Sequence, residues 1–189
     1  MVEVAGTSEA DIAEVPGRPP LVRTAPDRCE LVAFLEDVRQ LRLEVDLLVV
    51  SLHWGVAGDY VCEYQRTIAH AAIDAGADVI AGHGPHSVHG VEVHQGRPIL
   101  YSLGNLVFDW PTMRGRHRDG LVAVLTIANK QLTGVTLHLV QRDEGNDVRL
   151  VSLTEPAGAA LLDRLTALSR QLGSSLSAPE GRVVVARIR

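Results

Sequence analysis

Val49-Val50-Ser51-Leu52-His53-Trp54-Gly55 and Val79-Ile80-Ala81-Gly82-His83-Gly84-Pro85-His86 share one grammar: a short apolar run ends in a histidine with glycine close behind. Each run is entered through an aspartate, Asp46 or Asp78. Such runs predict strands buried on both faces, paired in parallel. Between them, Ile68, Ala71, Ala72 and Ala75 give a helix a small-residue face, and Gly76 suits the left-handed position that ends it. Strand, helix and strand then form one crossover unit, expected to be right-handed. Open α/β sheets place ligands at the carboxyl ends of their strands. That rule puts His53, His83 and His86 on one rim, the candidate site.

Upstream, Asp27 with Glu30 reads as the start of a helix running to about Leu43, with Leu31, Phe34, Leu35, Val38 and Leu41 on one face. Residues 1–26 carry Pro16, Pro19, Pro20 and Pro26 without periodicity and read as an extended or disordered lead-in to a domain spanning 27–189. A short edge strand at Pro20–Arg23 is the other reading. Downstream the pattern turns antiparallel. Val91–His94 and Pro98–Ser102 flank Gln95-Gly96-Arg97 as a hairpin, and Leu121–Ala128 and Gln131–Val140 flank Asn129-Lys130 as a second. Val148–Leu153 is a third strand. Pro156 opens a helix capped by Thr154, with Leu161, Leu162, Leu165 and Leu168 as its stripe and Gly173 as its end. Arg182–Ile188 can add an edge strand. The fold class is mixed α/β: a βαβ unit, then hairpins, then a C-terminal helix.

With 189 residues and 46% hydrophobic composition the chain can build a sizeable core. A net charge of -5 without a basic cluster argues against nucleic acid as a partner. Cys29 and Cys62 are too few for a disulfide framework. No run approaches the length of a membrane helix, and Glu3, Glu9, Asp11 and Glu14 stand where a signal peptide would be basic and apolar. As written, the chain is expected in the cytoplasm.

His83-x-x-His86 lies on a loop, where glycine allows close approach and Pro85 stiffens the turn. Neutral imidazoles suit zinc, iron and related metals. Trp54 is either an apolar wall or a core residue. His89 either lines the pocket or is a turn histidine, the favoured reading. Asn105, in Tyr101-Ser102-Leu103-Gly104-Asn105, either orients a ligand or satisfies a turn. Asp59 and Asp109 are the nearest carboxylates in sequence, while His70, His94, His117 and His138 read as structural or solvated.

Ser51-Leu52-His53-Trp54-Gly55, Ala75-Gly76-Ala77-Asp78-Val79-Ile80, Gly82-His83-x-Pro85-His86 and Tyr101-Ser102-Leu103-Gly104-Asn105-x-Val107-Phe108-Asp109 follow in that order. Together they resemble the bacterial capsule-synthesis CapA family, associated with poly-γ-glutamate capsule, over about residues 28–175. The resemblance implies a calcineurin-like metallophosphoesterase sandwich. It also implies His53, His83 and His86 as metal ligands with Asn105 close by, and an anionic polymer or phosphate-containing substrate at the cell envelope; Trp54, His89 and Tyr101 are candidates to line the same pocket.

Two features depart from that family. Its Gly-Asp, Asn-Leu-Glu and Asn-Asn-His motifs do not occur upstream of His53, and Gly84 stands where its histidine loop has a second histidine. Two cations about 3.5–4 Å apart need bridging anions, and three imidazoles supply none. The expectation is the C-terminal part of such a domain, holding at most one divalent ion of zinc, manganese or iron and lacking hydrolysis. It would carry an open sheet edge through which copies can associate. The competing expectation is a non-catalytic scaffold that contacts polymer or partner proteins.

Overall fold

A computed structural model describes residues 2–5, 23–110 and 115–185. The strands β1 (Val2–Ala5) and β2 (Arg23–Pro26) pair antiparallel, so the lead-in contains a small ribbon at its ends. Residues 6–22 lie outside the described residues. Asp27 caps α1 (Arg28–Glu44) by accepting from the N–H groups of Cys29 and Glu30 at 2.9 and 3.1 Å. Val38 is its one buried residue. Leu31, Phe34 and Leu35 are half-buried and Leu41 is exposed, so the stripe is narrower than the sequence suggests.

β3 (Val49–His53), α2 (Glu63–Asp74) and β4 (Val79–His83) form the expected unit, with the two strands parallel and in register from Val49↔Val79 to His53↔His83. Ala69, Ala72 and Ile73 are the buried small face of α2, rotated by about one residue from expectation. Gly76 follows the helix at φ 117. β5 (Val91–His94) and β6 (Arg97–Leu100) make the first hairpin through Gln95 and Gly96, both at positive φ, and β6 joins β4 in parallel. The sheet order is β3-β4-β6-β5.

The second sheet runs β10 (Leu176–Ser177), β11 (Val183–Val185), β8 (Gln131–Arg142), β7 (Asp119–Ala128), with β9 (Val148–Leu150) also paired to β8. Asn129 and Lys130 both take positive φ, the two-residue turn that matches strand twist. The tail strand β11 lies between β8 and β10, not at the edge. Glu155, not Thr154, is the N-cap residue of α3 (Pro156–Gln171).

Alternation in the first sheet separates two cores. Ile80 and Ile99 face α1 and α2 with Val38, Ala69, Ala72 and Tyr101. Val79 and Leu100 face the second sheet and α3 with Val135, Leu137, Leu139, Leu161 and Leu165. β4 is buried on both faces as expected. β3 is not: Val49 is 41% exposed although its register partner Val79 is at 1%. β3 lies at the edge of its sheet, with β4 its one neighbour among the described residues. The other edge is closed, because Ser169 and Ser174 accept the N–H groups of Val91 and Val93 at 2.9 and 2.8 Å.

Candidate functional site

The register His53↔His83 sets the site. Partners on adjacent parallel strands share a face, so the carboxyl ends of β3 and β4 present two imidazoles together. Their ring centroids are 4.8 Å apart, edge to face, and both side chains are exposed. Behind them, Trp54 donates its backbone N–H to the His83 carbonyl at 2.9 Å. Its buried indole N–H donates to the Tyr101 carbonyl at 2.9 Å. Gly82 permits this packing, since a Cβ there would sit 2.3 Å from the Tyr101 oxygen and 2.4 Å from the indole nitrogen. Trp54 is therefore a core residue. The Tyr101 side chain turns to Glu92, to which its hydroxyl donates at 2.6 Å. Burial, first, and that bond raise its pKa.

Gly84 has φ +120 and lies against the Trp54 carbonyl, 2.4 Å from where its Cβ would be. The histidine that the family resemblance expects here would force this loop apart. His86 follows at φ 62, a left-handed conformation rare outside glycine and held only where the surroundings fix it. The fixing group is Asn105. Its amide N–H donates to the His117 carbonyl at 3.1 Å, which leaves its oxygen 3.0 Å from His86 Nδ1. That oxygen can only accept, so His86 Nδ1 is the donor in this contact and Nε2 takes no part in it. Phe108 packs on the ring at 4.7 Å.

The sequence motifs thus divide into two groups. His53 and His83 stand together, and His86 stands with Asn105, Phe108 and His117. Among the described residues, no three His, Cys, Asp or Glu side chains stand together as a cradle for a cation. His89 is 1% exposed and bonded through Nε2 to the Gly58 carbonyl at 2.7 Å, beneath the loop after β3; burial, first, lowers its pKa. Two residues escaped sequence reasoning. His117, read as structural or solvated, joins the site through Asn105 and through Ser87, whose hydroxyl lies 3.1 Å from its Nδ1. Arg142 is 1% exposed at the end of β8 and donates to the carbonyls of Phe108, Arg116 and His117 and to the Asn146 side chain. It ties down the loop that carries these groups. A charge ending a strand whose alternate residues are apolar was the one hint in the sequence.

The fold and site define a mixed α/β protein with a histidine rim at the ends of its parallel strands. The chain belongs to the family described as bacterial capsule synthesis protein PGA_cap, whose model matches residues 5–110. It is 43% identical over 84 residues to the PGA biosynthesis protein CapA of Bacillus subtilis, covering 44% of this chain and 22% of that protein. It is 48% identical over 65 residues to the capsule biosynthesis protein CapA of Bacillus anthracis, covering 34% and 16%. A probable polyglutamine synthesis accessory protein of Mycobacterium tuberculosis is 38% identical over 71 residues, covering 37% and 19%. The matches thus span about a fifth of these relatives' lengths.

Proposed function

We propose that this chain is an accessory component in the synthesis of an acidic capsule polymer of the poly-γ-glutamate type, with the rim of His53, His83 and His86 as its working site. The observation that carries this is the in-register, exposed His53–His83 pair at the strand ends. The family, and the names of the relatives in Bacillus and Mycobacterium, supply the polymer. The layering of helices, sheet and second sheet supports likeness to a metallophosphoesterase sandwich.

A two-metal centre does not fit the residues present, because the described residues provide no carboxylate-bearing cluster that could bridge two cations. A single divalent ion would take His53 and His83, which the strand ends present together, while His86 stands apart with Asn105. Such an ion would polarise a phosphate or carboxylate oxygen. The chain's own work is to present the paired imidazoles of His53 and His83 and to hold His86 through Asn105. This favours a site that binds and orients an anionic group over one that hydrolyses it.

The test is to replace the genomic copy in the source bacterium with a His53→Ala/His83→Ala allele and to measure cell-bound polymer. Polymer should fall while protein level holds; unchanged polymer overturns the reading.

A further inference from the structure

Beside His86 lies a cleft of about 300 Å³ lined by Ser87, His117, Arg118, Asp119 and Arg164. It is built by four parts of the chain: the loop after β4, the segment running into β7, the end of β8, and the middle of α3. On a protein of net charge -5 it gathers two guanidinium groups against one carboxylate. That carboxylate is already engaged, since Gln141 donates to Asp119 Oδ1 at 3.0 Å.

Arg164 is under-satisfied. Its contact with Asp119 Oδ2 is 3.6 Å, beyond hydrogen-bond reach, and its Nε is buried without an acceptor. Arg118 donates its Nε to the Arg142 carbonyl, and among the described residues its terminal amines have no acceptor. Guanidinium groups carry five donors in a fixed fork that matches carboxylate and phosphate oxygens. The one of these donors that is buried without a partner is Arg164 Nε, and an unpaired buried donor is costly.

We propose that this cleft is an oxyanion-binding site, in which Arg118 and Arg164 hold one carboxylate or phosphate group of the polymer or its precursor next to His86. The proposal rests on the capsule-polymer reading for its ligand and deepens it by naming residues outside the rim pair. The Ser87–His117 contact gives the same cleft a hydroxyl and an imidazole as further hydrogen-bonding groups.

The experiment is fluorescence anisotropy of a labelled γ-linked glutamate oligomer with the full chain at low salt, with inorganic phosphate as a second arm. Variants are Arg118→Gln, Arg164→Gln, His83→Ala and Lys130→Gln, the last an exposed cation on the β7–β8 turn. Each arginine variant should weaken binding about tenfold or more, while Lys130→Gln leaves it unchanged. Phosphate binding by titration calorimetry with no oligomer binding identifies phosphate as the source of the oxyanion and still supports the site. Unchanged affinity in both arginine variants, equal loss in Lys130→Gln, or no binding of either probe overturns it. Loss in His83→Ala alone moves the anion to the rim, which overturns the cleft and spares the rim reading. Should Arg164→Gln lose its folded circular-dichroism spectrum, Arg164→Lys replaces it, and full affinity in both that variant and Arg118→Gln overturns the proposal.

Discussion

His53 and His83 are register partners on adjacent parallel strands, and their rings meet edge to face at 4.8 Å. The strands fix the pair, so neither side chain depends on a loop for its place. Rigid elements hold functional geometry better than loops do. His86 reaches comparable definition by other means, through a left-handed backbone and the Asn105 amide.

The chain is expected to bind at most one divalent cation, and weakly, because neutral imidazoles offer no anionic charge. Elemental analysis after loading with zinc or manganese should give one or fewer ions per chain, falling to none in His53→Ala/His83→Ala. Hydrolysis of an aryl phosphate ester should stay at background. Two ions per chain, or turnover that vanishes in His83→Ala, would restore an enzyme reading.

Gly82→Ala is expected to destabilise the fold by about 1–3 kcal/mol, the usual range of overpacking a close-packed site. The added methyl would meet the Tyr101 carbonyl and the Trp54 indole, both buried and bonded to each other. Urea unfolding followed by tryptophan fluorescence measures it. A change under 0.5 kcal/mol would show that β4 and the Tyr101 backbone separate easily.

Elements whose cause is local were legible in the sequence. The Asp27 cap, the turns at Gln95-Gly96 and Asn129-Lys130, and the Gly76 stop all act through their neighbours in the chain. The histidine rim was legible because two apolar runs end alike. What failed depended on distant partners. Val49 looks as buried as Val79, yet it lies on an edge strand with one neighbour among the described residues. Arg142 and His117 work on residues far away in sequence, and no spacing rule announces them.

His89 predicts a pH effect. Its folded pKa lies below the ordinary value, chiefly through burial, so the unfolded chain takes up a proton first as pH falls. The stability is fully present above the unfolded value near about 6.5 and is lost as pH falls towards the folded value. Urea midpoints between pH 7.5 and pH 5.5 should therefore drop more for the wild type than for His89→Gln, by at most about 1.4 kcal/mol per pH unit. Parallel pH profiles for the two proteins would remove His89 as the cause.

Arg142→Met should loosen the loop that carries Asn105, Phe108 and His117. The buried guanidinium donates to three carbonyls of that loop, and Asn105 anchors on the same His117 carbonyl that Arg142 holds. Methionine fills the volume but leaves those carbonyls without a donor, a cost of about 2–4 kcal/mol in chemical unfolding. Arg142→Lys should recover little, because one ammonium cannot reproduce the planar fork. The site-specific readout is the His86 ring: nitrogen NMR should show the Nδ1-protonated tautomer in the wild type and a tautomer mixture in Arg142→Met. A destabilised variant that keeps the single tautomer would mean that Asn105 holds His86 without the strap. In that case Arg142 serves the fold alone.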